Sequence, residues 1–180
     1  MRIEDIKQII KEEQKLYVPK RVNYCKTIHQ KRYMIWKYLA CFRLAQFHKE
    51  QIEKGVLISR ILYRYYQRKK NLLSEKTGVE IANHSVIGRR CDIWHGGVVI
   101  NANIGADCVF HGNNILGNKG ADGTDAIPTL GCGVDVGAGA VVIGNICIAD
   151  NVVIGANAVV TKNVEKKGAV LVGVPAIAIK

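Results

Sequence analysis

No stretch of this 180-residue chain approaches eighteen uninterrupted apolar residues, so a membrane-spanning helix is not expected. The first fourteen residues lack an apolar core and a small-residue cleavage site. They carry Arg2, Glu4, Asp5, Lys7, Lys11, Glu12 and Glu13 instead and do not read as a signal peptide. The six cysteines, at 25, 41, 91, 108, 132 and 147, include no C-x-x-C pair. That spacing excludes a zinc ribbon and a secreted disulfide framework, and predicts reduced thiols in a cytoplasmic protein. With 48% apolar and 23% charged residues, wholesale disorder is excluded too.

The two parts of the chain lack different things. Residues 1–78 hold two of the 18 glycines, and residues 79–180 hold two of the twelve aromatics. Charge divides at the same place. Before the cut stand 19 Lys and Arg against 7 Asp and Glu, a balance of +12; after it stand 7 against 8, a balance of −1. Two kinds of structure are expected.

The first part reads as helical. Ile35, Trp36, Leu39, Phe42 and Phe47 recur at helical spacing between Arg32 and Gln51, Gly55 offers a break, and Val56, Leu57, Ile61, Leu62, Tyr65 and Tyr66 begin a second stretch. Residues 1–16 predict a short helix ahead of Pro19, while 20–31 are ambiguous. Nothing accompanies the basic charge that would mark a nucleic-acid reader. Arg60 to Tyr66 mixes cations with interfacial aromatics and fits a membrane surface. The plainer reading is a packing and assembly domain with a solvated basic face.

The second part is periodic. Leu130, Val136, Val142, Ile148, Ile154 and Val160 recur every six residues, and four residues after each come Val134, Ala140, Ile146, Val152, Ala158 and Val164. Ile81, Ile87 and Ile93, then Ile104, Phe110 and Leu116, form two further runs. A period of six fits neither a helix nor a simple strand, but it fits a triangular solenoid with one short strand per side. This is the pattern of a left-handed parallel β-helix. Ile93 to Ile104 is one residue short of two repeats, and Leu116 to Leu130 is two residues long. The expected organisation is a helical segment 1–78, a β-helix 79–165 and a tail 166–180 that leaves the prism. Helices are expected to cap the open edge of the first coil.

Breaks in a rigid repeat are where function is sought. Of the five histidines, His29 and His48 read as surface or packing residues and His84 as solvated, while His95 and His111 stand in the irregular coils. γ-Class carbonic anhydrases place three zinc-binding histidines on such a β-helix, but no closely spaced histidine pair follows His95 or His111 here, so no metal site is expected.

Val79-Glu80-Ile81, Asp92 to Asn101, Ile115 to Gly120, Val136 to Ala140, Val153 to Lys162 and Gly173-Val174-Pro175-Ala176 together resemble the serine acetyltransferase-like branch of the hexapeptide-repeat acyltransferases. The likeness extends to the short forms of surface-polysaccharide gene clusters. The resemblance implies acetyl transfer from acetyl-CoA to a hydroxyl, with His95 as catalytic base and Glu80 as its orienting carboxylate. An alcohol is a weak nucleophile at neutral pH, and an imidazole that takes its proton is worth about 10²–10⁴ in rate. A carboxylate on the other ring nitrogen fixes the tautomer. Backbone amides at Gly96-Gly97 or Gly112 could bind the oxyanion. The resemblance also implies that the pantetheine arm lies along the wall at Gly117, Ala138, Ala156 and Thr161, between subunits of a homotrimer or a pair of trimers, with Lys162 facing phosphate. Ile177 stands where relatives carry arginine.

Two departures bear on the acceptor. Trp94 replaces the aspartate that holds the serine amine, and Ala126 and Ile127 replace an arginine–histidine pair that reads the carboxylate. A site without charged readers holds a zwitterion poorly. Trp94 points to stacking on a sugar ring, and Asp122 and Asp125 of the loop could contact either acceptor. The expectation is an O-acetyltransferase acting on a sugar, with serine and a non-catalytic β-helix scaffold as alternatives.

Overall fold

The computed structural model describes residues 2–18, 26–120 and 126–179, with backbone alone for 26–29. The chain divides into two compact units, 1–79 and 80–180.

The first unit holds three helices, α1 (Ile3–Tyr17), α2 (Lys26–Glu53) and α3 (Ile58–Thr77). At the start of α1 the Asp5 carboxylate accepts from the Arg2 amide at 3.0 Å, satisfying one of the donors a helix start leaves over. Gly55, at φ +84°, separates α2 from α3 as expected, and Gly78, at φ +67°, ends α3 with its N–H on the Ser74 carbonyl. α2 packs against both neighbours. Ile6, Ile9 and Tyr17 of α1 and Ile35, Tyr38, Leu39 and Phe42 of α2 are buried. The Trp36 indole N–H donates to the Ile10 carbonyl at 3.0 Å. Arg32 reaches the Leu16 carbonyl near the end of α1 at 2.9 Å. In this core the Arg43 guanidinium grips the buried Glu13 carboxylate with two nitrogens, Nε at 2.9 Å from Oε2. Losing either partner would strand a charge in the core, at a cost of about 3–5 kcal/mol.

The second unit consists of short parallel strands in three sheets. The first sheet stacks Val79–Ile81, Val98–Ile100, Ile115–Gly117, Val141–Ile143 and Val159–Val160. The second stacks Asn103–Ile104, Thr129–Leu130 and Cys147–Ile148, extended by single bridges at Ile87 and Val164. The third stacks Asp92–Ile93, Val109–Phe110, Asp135–Val136, Val153–Ile154 and Val170–Val172. The chain visits the three sheets in fixed rotation, five times. Both six-residue series point inward: Leu130, Val136, Val142, Ile148, Ile154 and Val160 are buried, as are Val134, Ala140, Ile146, Val152 and Ala158. Each large aliphatic side chain so buried contributes about 1.5–3 kcal/mol.

The corners explain the glycine and asparagine content. Gly97, Asn113, Gly139 and Asn157 stack at the corner leading from the third sheet to the first, all with φ between +53° and +76°. The glycines are required there because the asparagine side chain of the next coil fills the space of their missing Cβ, Asn113 over Gly97 and Asn157 over Gly139.

Three sequence expectations change. The interval Ile93–Ile104 is not a simple deletion. Ile100 is the inward residue of the first sheet, aligned with Leu116 and Val142. Coil one therefore carries one extra residue between Ile93 and Gly97, and coil two lacks two between Ile100 and Ile104. The pattern hid this because Ile100 falls off the six-residue count. Likewise, Leu116 and Leu130 occupy adjacent sides of one coil, so the insertion between them is eight residues, not two. Finally, segment 166–180 does not leave the strands. Val170–Val172 is the last rung of the third sheet, with Leu171 beside Ile154, and Ile177–Ala178 folds back antiparallel on it.

Among the described residues no helix is long and apolar enough to cross a membrane. Cys41, Cys108, Cys132 and Cys147 are free thiols.

Candidate active site

The extra residue of the first coil falls at Trp94-His95-Gly96. A regular corner places two residues between the last inward side chain and the positive-φ position, as between Phe110 and Asn113; between Ile93 and Gly97 there are three. The chain bulges, and both Trp94 and His95 stand exposed. Gly112 of the next coil makes room for the bulge. It adopts φ +119°, and a Cβ built on it would lie 2.7 Å from the His95 Cβ. Up this corner the wall carries only small residues, Gly96, Gly112, Ala138 and Ala156, with Ala138 and Ala156 exposed.

Trp94 is held on two sides. Its indole N–H donates to Asp92 Oδ2 at 3.0 Å, and its ring lies 4.4 Å from the His111 ring at a tilt of 48°. His111 Nε2 is in turn 2.8 Å from Asp135 Oδ1. The indole is 43% exposed while its N–H and its contact with His111 hold it in place. Sequence reasoning gave no task to Asp92, His111 or Asp135. The signal lay in the coil length: Trp94 and His111 are seventeen residues apart, one coil.

Glu80 projects outward from the middle of the first strand of the first sheet, and His95 stands where the chain turns onto the next strand of that sheet. Both are exposed, and no hydrogen bond joins them among the described residues. Of the amides expected to face an oxyanion, that of Gly112 is committed to Asn114 Oδ1 at 3.0 Å, which removes it. Those of Gly96 and Gly97 donate to no group among the described residues. Gly117 ends its strand between Asn101 and Ile143, Thr161 is half-buried, and Lys162 is exposed near the far end of the unit. Ile127 is buried, so its side chain cannot face an acceptor. Asp122 and Asp125 lie outside the described residues, as does the His29 side chain. His84 is exposed, with Nε2 2.7 Å from Asn101 Oδ1, and His48 is a core residue of the helical unit. Among the described residues no three ligating side chains are grouped for a metal ion.

No family model matches the chain. Over 118 residues it is 41% identical to a serine acetyltransferase of Helicobacter pylori, covering 63% of each chain. Over 74 residues it is 42% identical to a protein of Escherichia coli K12 named as colanic acid biosynthesis acetyltransferase WcaB, covering 39% of this chain and 45% of that one. The crystal structure of Neisseria gonorrhoeae serine acetyltransferase superposes on 99% of this chain and 67% of its own, with a TM-score of 0.72 and 26% identity. This chain is similar to serine acetyltransferases.

The chain spans less than two thirds of the two curated relatives named above. Its three helices followed by parallel sheets follow the architecture of the Neisseria structure. The bulged imidazole and the held indole therefore sit on a scaffold shared with a serine acetyltransferase.

Proposed function

We propose that this chain winds as a left-handed β-helix and is an O-acetyltransferase that moves the acetyl group of acetyl-CoA to a sugar hydroxyl. The observation that carries the reading is the extra residue at Trp94–Gly96. It sets an exposed imidazole at a corner whose wall is otherwise glycine and alanine, beside an exposed indole held by Asp92 and His111.

His95 takes the hydroxyl proton as the sugar oxygen attacks the thioester carbonyl. The C–O bond forms, the C–S bond breaks, and the proton leaves on the CoA sulfur. Glu80 orients the ring. Both side chains belong to the outer side of the first sheet and its entry corner, and they meet in the reacting complex. The uncommitted amides of Gly96 and Gly97 receive the oxyanion. The pantetheine arm follows Gly117, Ala138, Ala156 and Thr161, and Lys162 meets phosphate as a point charge. The cleft forms between subunits of a trimer.

The exposed indole of Trp94 receives the sugar ring. Neither Ala126 nor the buried Ile127 offers a donor to a carboxylate, which disfavours an amino acid acceptor. Transfer to serine is the second reading, favoured by the 41% identity to a relative named for that activity.

The test is thiol release from acetyl-CoA by the purified chain, with serine in one arm and a panel of sugars and nucleotide sugars in the other. Release with a sugar alone is expected, and Trp94→Ala should raise the KM for that sugar about tenfold while leaving that for acetyl-CoA unchanged. Release with serine alone overturns the acceptor assignment. Silence in every arm overturns the enzyme.

A further inference from the structure

α3 has two apolar faces, and only one of them is used. Toward α2 it presents Ser59, Leu62, Tyr66, Lys70, Leu73 and Thr77, all buried or half-buried. On its other side Ile58, Ile61, Tyr65 and Leu72 are 53–67% exposed. At 3.6 residues per turn these four fall within an arc of about 60°, one continuous stripe along fifteen residues. Cations border it on both edges, Arg64 and Arg68 on one and Lys69 and Lys76 on the other, all exposed. Lys69 Nζ lies 5.7 Å from the centre of the Tyr65 ring, so charge and aromatic form one surface. α3 carries six Lys and Arg against the single carboxylate of Glu75.

We propose that this outer face of α3 binds the surface of an anionic lipid bilayer, with the aliphatic stripe in the headgroup boundary and the flanking cations on lipid phosphates. Three arguments select this occupant. An aliphatic stripe bordered by cations, with tyrosine between, is the composition of an interfacial helix. A second copy of the chain would bring together two segments that each carry a balance of +12, which disfavours self-pairing here. A soluble acidic polymer would use the cations but leave Ile58, Ile61 and Leu72 in water. The helix lies on the surface and does not cross: no 18-residue window is apolar enough.

The experiment is flotation of the full chain with vesicles of phosphatidylcholine alone or with added phosphatidylglycerol, at low and at high salt. Binding is expected to the anionic vesicles only and to fall steeply with salt. Two variants separate the contributions, both at exposed positions that leave the α2 contact intact. Ile61→Asp should weaken binding at least about tenfold through loss of apolar insertion. Arg64→Gln with Arg68→Gln should weaken it about 25-fold, each cation near such a surface being worth about fivefold. Helicity and the melting midpoint should not move in either. The proposal is overturned if the chain ignores both vesicles, or binds the neutral ones equally. It is also overturned if Ile61→Asp binds as well as the parent, which would leave charge alone, or if Ile61→Asp instead reduces the oligomer size, which would make the stripe a contact between copies.

Discussion

Gly112 lies beneath the bulge that carries His95, and its φ of +119° belongs to a region that side chains rarely enter. Gly112→Ala would therefore cost about 1–3 kcal/mol in backbone strain. It would also push a methyl against the His95 Cβ from 2.7 Å, and the imidazole must move. A misplacement near 1 Å is worth about 10² in rate. The expected result is a kcat about a hundredfold lower with a modest fall in melting temperature, read from steady-state thiol release and a thermal scan. His95→Ala should lose about 10²–10⁴ with no change in stability. Equal activity of Gly112→Ala and parent would mean that the bulge does not set the imidazole. At this scale the sequence was legible where spacing was regular and opaque where it was not. Trp94 and His95 stand out because the repeat breaks there. The extra residue itself was hidden, since a gain of one at 94–96 and a loss of two at 100–104 sum to an apparent deletion of one. His111 and Asp135 could be connected to Trp94 only once coil length, and hence which residues stack, was known.

Among the elements, α2 and α3 join through a histidine whose surroundings make the helical unit sensitive to acid. His48 is buried, its Nδ1 lies 3.1 Å from Ser59 Oγ, and its ring stacks on Tyr66 at 5.7 Å. Burial lowers its pKa below the ordinary histidine value, because an imidazolium there would lose water without gaining a partner charge. An unfolded chain protonates this ring at about pH 6.5, while the folded one resists until lower pH. In that window the unfolded state holds more protons, so stability is present above it and is lost as pH falls. His48→Gln should flatten the dependence. The check is the thermal midpoint followed by helical circular dichroism from about pH 7.5 to about pH 5.5, where the parent should drop and the variant should not. A parent midpoint flat across that range would contradict the assignment. The helices themselves could be read from their apolar spacing, with Gly55 as the break, because tertiary packing here follows amphipathic stripes. That α3 bears a second stripe was not visible, since exposure depends on which stripe α2 covers.

For the whole molecule, the charge division and the exposed surfaces assign different tasks to the two units. Repulsion at +12 works against joining copies through the helices, whereas residues 79–180 are near neutral, at −1. The near-neutral unit also carries an outward apolar pair on the first sheet, Val99 and Ile115, which are register partners on adjacent strands and both exposed. They lie on the same sheet face as Glu80, beside the corner of His95. In the proposed trimer this face lies against the next subunit, and the cleft that holds the pantetheine arm is incomplete without it. Ile115→Glu would then place a carboxylate in a dry contact without touching the buried core, since its side chain points away from the inward Leu116. Sedimentation at micromolar concentration should show three chains for the parent and one for Ile115→Glu. Acetyl transfer per chain should fall at least about tenfold while the melting of residues 80–180 persists. Ile61→Asp on α3 should leave sedimentation unchanged, because its stripe faces lipid and not another copy. A parent that sediments as a monomer, or an Ile115→Glu trimer with full activity, would mean that each chain holds its substrates alone.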